Sequence, residues 1–191
     1  MIERAEKQYI DGLRRIYEEG TDLKNARTGE ICRTIINIDL TYDGTTNKAP
    51  ILTTRKIVNP YLPIAELLGY IRGVTSAAQM RELGTKSWDD NANKNSAWLA
   101  NPNRNGEDDL GLIYGAVAKN WPVITNDPNP TPSIDLFHKV YNNLKKGVDD
   151  RGEIITFWNP GMFHLGCLRP CMYEHQFSLL GDDLYLNSTQ R

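Results

Sequence analysis

Residues 168–177 read "LRPCMYEHQF", a cysteine directly after a proline, with an arginine before the pair and a tyrosine and a histidine soon after. Cys171 could be a packed thiol, half of a disulfide, a metal ligand or a nucleophile. Three cysteines, an odd count, argue against a disulfide framework. Cys167 and Cys171 are spaced C-x-x-x-C rather than C-x-x-C, and Cys32 is far upstream, so no metal site is expected. Free cysteine is most often a buried small hydrophobe. Against that, Pro170 fixes the approach of the chain, and Arg169 or Arg191 would favour the reactive thiolate if either folds close by. In an alternating strand Cys171, Tyr173, His175 and Phe177 would share a face, two strand steps separating thiol and imidazole. On these local cues the packed thiol leads and the nucleophile comes second.

Other residue types that carry chemistry are scattered. Glu66 lies in "PIAELLGYIRG", nearly opposite an apolar helical stripe, and periodicity alone makes it a solvated side chain. Trp88 in "KSWDD" is either an anchor for a satellite core or a stacking platform for a flat ligand. Tyr114 stands between glycines in "DLGLIYGAV", a sign of a turn or of close backbone approach; its phenol is either a satisfied core hydroxyl or a proton relay. Of Arg27, Arg55, Arg151 and Arg191, Arg27 before Thr-Gly is the best anion contact, because a glycine turn exposes backbone amides beside it.

The elements that must position these residues follow from periodicity. Ile10, Leu13, Ile16 and Tyr17 predict an amphipathic helix ending near Gly20. "TIINIDLTY" alternates and predicts a half-buried strand, followed by a second strand in "ILTTRKI". Pro63 opens a helix with Ile64, Leu67, Leu68 and Ile71 as its apolar stripe. "DDNANKNSAWLANPNRNGEDDLG" is polar and rich in turn residues, and reads as a surface insertion. Ile134, Phe137, Val140, Tyr141 and Leu144 predict another helix, "EIITFW" a buried strand, and "HQFSLLGDDLYLNST" a hairpin turning at Gly-Asp. The order predicts one α+β domain over residues 1–191.

Composition narrows the class. The chain has 191 residues, 40% of them hydrophobic and 24% charged, with a formal net charge of −2. That is an ordinary soluble composition without the basic footprint of a nucleic-acid binder. No apolar run reaches membrane-spanning length. The charged start "MIERAEKQYIDGLRRIY" lacks the apolar core of a signal peptide, and the cysteine usage predicts a reducing, cytoplasmic setting.

Eight segments, in order, resemble the thymidylate synthase family: "RTGE" (27–30), "LTTRK" (52–56), "AELLGYIRGVT" (65–75), "SWDDN" (87–91), "DLGLIYG" (109–115), "FWNPG" (157–161), "LRPC" (168–171) and "QF…G…LYLNSTQR" (176–191). No one motif decides; their register does. The resemblance implies an α/β homodimer built on a large mixed sheet with flanking helices. It implies one-carbon transfer from 5,10-methylenetetrahydrofolate, without a metal, to C5 of a deoxyuridylate. By position, Cys171 matches the nucleophile that adds to C6, Glu66 a glutamate acting through water, and Tyr114 a tyrosine of the C5-proton network. Arg27 and Arg191 match phosphate contacts, Arg191 also lying near the thiolate, and Arg151 matches an arginine given to the partner subunit's site. Trp88, Asn91, Arg55 and Leu168 match folate contacts.

The chain departs from the pattern at Gly152, where a second cross-subunit arginine is usual, at Met172, where histidine is common, and in "YGAVAKNW", which lacks a Gln-Trp pair. These positions keep a dUMP or dCMP hydroxymethylase of the same superfamily, and beyond it a non-catalytic nucleotide-binding homologue, as alternatives. The family pattern also continues past Arg191, so a complementing C-terminal segment is expected and residues 1–191 alone are not expected to turn over.

Overall fold

The computed structural model describes residues 4–26, 29–46, 59–126, 128–129 and 133–191. The chain groups into two compact units, Met1–Pro60 and Tyr61–Arg191.

The first unit holds helix α1 (Arg4–Glu19) and an antiparallel hairpin of β1 (Thr21–Lys24) and β2 (Ile31–Thr34), paired from Thr21↔Thr34 to Lys24↔Ile31. Arg33 closes the helix end, donating from Nε to the carbonyls of Ile16 (3.2 Å) and Tyr17 (3.0 Å). The strand expected at 34–42 does not form beyond Thr34. Asn37 takes φ +62°, which breaks an extended run. Side chains of α1 then serve the backbone that a neighbouring strand would have served: Gln8 bonds both the N–H and the carbonyl of Thr41 at 2.7 Å, and Arg15 donates to the Asn37 carbonyl at 3.1 Å. The strand expected in "ILTTRKI" lies outside the described residues.

The second unit starts with α2 (Tyr61–Arg72), α3 (Ala77–Glu82), α4 (Asp89–Asn93), α5 (Ser96–Leu99) and α6 (Tyr114–Lys119). A short antiparallel pair, β3 (Trp121–Pro122) and β4 (Ser133–Ile134), leads into α7 (Leu136–Lys145). Asp135 caps α7, accepting from His138 N–H at 3.1 Å and from Lys119 Nζ at 2.7 Å. The sheet of β5 (Ile154–Thr156), β6 (Met172–Leu180) and β7 (Asp183–Gln190) is antiparallel in that order. Gly181, at φ +65°, takes the first turn position of the β6–β7 hairpin, as a type II′ turn requires. Helices and antiparallel strands together give the α/β class. No helix among the described residues is long and apolar enough to cross a membrane.

Two expectations are reversed here. The α2 stripe of Ile64, Leu67, Leu68 and Ile71 is exposed, and the buried face carries Ala65 and Gly69. The cause is close helix approach. A Cβ on Gly69 would lie 2.4 Å from Met80 Sδ of α3, and one on Gly115 of α6 only 1.6 Å from the Tyr70 carbonyl oxygen. The polar segment 89–111 is likewise no surface insertion. It folds into α4 and α5 and sends Ala92, Trp98 and Leu110 into the core, Trp98 at 2% exposure. Its polar side chains bond inward. Asn93 takes the Asp108 N–H at 2.9 Å, Arg81 spans Asp89 and Asp108, and Trp98 Nε1 donates to the Asp109 carbonyl at 2.7 Å.

Candidate active site

Cys171 precedes β6, with an exposed thiol and a tightly held backbone. Its N–H donates to Tyr114 Oη at 2.9 Å, and its carbonyl accepts from the Arg191 N–H at 2.9 Å. The hairpin explains the second bond: Met172 pairs with Gln190, so Arg191 comes back opposite Cys171 across twenty residues of chain. Arg191 Nε then donates to the Pro170 carbonyl at 2.9 Å, and its guanidinium stands 5.7 Å over the Trp158 ring. A cation is thereby kept on the segment that bears the thiol.

Tyr114 opens α6 with φ +32°, a left-handed conformation unusual for tyrosine, and its ring is 6% exposed. Burial raises its phenol above the ordinary value, against the backbone N–H groups of Cys171 and Met172, which favour the phenolate. The phenol thus keeps its proton at neutral pH while its oxygen accepts from Cys171.

Tyr70 stacks on Tyr114, with ring centroids 4.3 Å apart and planes 17° apart. Its hydroxyl donates to Glu66 Oε1 at 2.5 Å, and Trp88 Nε1 donates to the same oxygen at 2.8 Å. Glu66 therefore points inward on α2 and is not the solvated side chain that periodicity gave. Trp88 is 4% exposed and packs edge-on to both tyrosines. A half-buried carboxylate, two stacked phenols and an exposed thiol form one connected line.

Other residues stand apart from that line. Cys167 is buried, which pushes its thiol up to about 12. His175 bonds Ser188 Oγ through Nδ1 at 2.7 Å and packs edge-on against Phe157. A bulge between Met172 and Glu174 breaks the expected alternation, so Met172, and not Tyr173, packs against the core with Phe177. Arg151 is exposed in the turn before β5 at φ +65°, its N–H bonded to Asp149 Oδ1 at 2.9 Å. Asn91 is half-buried in α4, and Leu168 packs against the core. Arg27 and Arg55 lie outside the described residues. Among those described, no group of three His, Cys, Asp or Glu side chains is placed to hold a metal ion. Sequence reasoning missed Tyr70; its signal was an aromatic four residues after Glu66, on the same helix face.

An exposed thiol on a pinned backbone, on a segment that also holds a cation and in line with a carboxylate, is an arrangement suited to nucleophilic addition with proton transfer. The family model described as thymidylate synthase matches residues 7–191, and the chain belongs to that family. It is 57% identical over 185 residues to the thymidylate synthase of Glaesserella parasuis serovar 5, 57% identical over 186 residues to that of Idiomarina loihiensis, and 56% identical over 186 residues to that of Vibrio cholerae serotype O1. Each match covers 97% of this chain and 63% of the relative, so the chain spans less than two thirds of the length of these relatives.

Proposed function

We propose that residues 1–191 are the nucleophile-bearing part of one catalytic domain that transfers a one-carbon unit from 5,10-methylenetetrahydrofolate to C5 of dUMP, giving dTMP and dihydrofolate. The observation that carries the reading is the line from Cys171 through Tyr114 and Tyr70 to Glu66. The names of the relatives support it. C5 of the pyrimidine is a poor nucleophile until the Cys171 thiolate adds at C6 and makes C5 an enolate carbon. Glu66, held at one oxygen by Tyr70 and Trp88, handles protons at the ring carbonyl through water, and Tyr114 serves removal of the C5 proton.

Arg27, Arg191 and, from the partner subunit of a homodimer, the residue equivalent to Arg151 take the phosphate, for which guanidinium forks are well matched. The folate, which supplies the carbon and the hydride when bound, is assigned to Trp88, Asn91, Arg55 and Leu168. Leu168 lies half-buried against the core, and the Trp88 indole N–H is committed to Glu66. The part of the family length outside this match supplies the rest of the site. A reducing cytoplasm suits an exposed thiol of this kind.

The test is 5-fluoro-dUMP with 5,10-methylenetetrahydrofolate added to the full-length protein. A covalent adduct mapped to Cys171, lost in Cys171→Ser, is expected; no adduct overturns the reading in favour of a binding protein. Product analysis then separates a methyl product with dihydrofolate from a hydroxymethyl product with retained tetrahydrofolate, the latter making the protein a hydroxymethylase.

A further inference from the structure

We propose that Tyr70 is a positioning residue of this site, its hydroxyl fixing one oxygen of Glu66 while its ring fixes Tyr114, so that one side chain sets both the carboxylate and the phenol that holds Cys171. The proposal rests on the functional reading above for its consequence in turnover and on geometry alone for the arrangement.

Tyr70 and Glu66 stand four residues apart on α2, where side chains meet on one face. Both donors to Glu66, the Tyr70 hydroxyl at 2.5 Å and the Trp88 indole at 2.8 Å, fall on Oε1. Among the described residues none bonds Oε2. A carboxylate pinned at one oxygen by two donors has a fixed plane, and its second oxygen is left to face a ligand or a water. The stack of Tyr70 on Tyr114, 4.3 Å and 17°, restrains the ring whose oxygen takes the Cys171 N–H. Gly115 permits this, since any Cβ there would strike the Tyr70 backbone.

Burial, reinforced by the Glu66 carboxylate, raises the Tyr70 phenol well above its ordinary range, so it remains a donor at every working pH. The titratable groups facing it are Glu66 on its own helix, Tyr114 on α6 and Cys171 ahead of β6; Lys119, Asp135, His138 and His175 lie further along the cavity that Tyr70 also lines.

Tyr70→Phe separates the two roles, keeping the stack and deleting the bond. In the full-length protein the indole N–H resonance of Trp88, assigned by its loss in Trp88→Phe, is expected to move in Tyr70→Phe, because Trp88 then holds Oε1 alone. In a Glu66→Gln background the same change should move it far less. In turnover, kcat is expected to fall about tenfold with the nucleotide KM within about twofold, since proton transfer depends on how the carboxylate is held and not on how tightly the nucleotide binds. An unmoved Trp88 resonance overturns the proposal, as does a loss of melting temperature with kcat unchanged. A moved resonance in a protein whose wild type forms neither product nor adduct upholds the arrangement and overturns the functional reading instead.

Discussion

At the scale of single residues, the cysteines divide by environment. Cys171 and Cys32 are exposed, whereas Cys167 is buried with its thiol raised to about 12. Iodoacetamide at neutral pH is therefore expected to label Cys171 and Cys32 and to spare Cys167, read by peptide mass, until denaturant is added. Labelling of Cys167 in the folded protein would contradict its burial. Local sequence cues around Cys171 leaned towards packing because the features that expose and anchor the thiol are distant: the Tyr114 hydroxyl lies 57 residues away and the Arg191 N–H twenty. The glycines around Tyr114 were legible as a mark of close backbone approach, and Gly115 against Tyr70 is that approach. Glu66 was not, since an inward carboxylate is recognised only when its donors, Tyr70 and Trp88, are seen beside it.

At the scale of elements, α1, α7, β5 and the β6–β7 hairpin followed from periodicity and turn chemistry, each having one dominant pattern. Helix α2 followed in existence but not in facing. Its Gly69 meets Met80 of α3 and its Tyr70 backbone meets Gly115 of α6, while the large apolar stripe stays exposed, so hydrophobic patterning points the wrong way where helices approach through glycine. Segment 89–111 misled for a related reason, its Asn and Asp side chains satisfying half-buried backbone instead of water. The packing of α2 on α6 gives a direct test. Gly115→Ala puts a methyl 1.6 Å from a backbone oxygen and is expected to cost the upper end of the ~1–3 kcal/mol typical of overpacking, or more, in urea unfolding. Gly44→Ala, with nothing within 4 Å of the new Cβ, should change stability by less than about 0.5 kcal/mol. Equal effects of the two would mean that α2 and α6 are not held this close.

At the scale of the whole molecule, much apolar surface is left open. Ile64, Leu67, Leu68 and Ile71 on α2 and Leu184, Tyr185 and Leu186 on β7 are exposed. Leu67, Ile71 and Leu186 also line a cavity of about 600 Å³ walled by Phe137, Phe157 and Phe177. Surfaces of this kind are rare on monomeric soluble proteins. Residues 1–191 prepared alone are expected to bind anilinonaphthalene sulfonate strongly and to associate with rising concentration, by fluorescence and sedimentation; a non-fluorescent monomer would show that these faces are covered. The line of contacts through the site also has unequal reach along the chain. Glu66 meets Tyr70 across four residues and Trp88 across 22, while the thiol segment meets Tyr114 only across 57. Closing the longer loop costs about 0.8 kcal/mol more chain entropy than closing the 22-residue one. The carboxylate end is thus a nearly local construction, and the nucleophile reaches its place only through long-range closure of the chain.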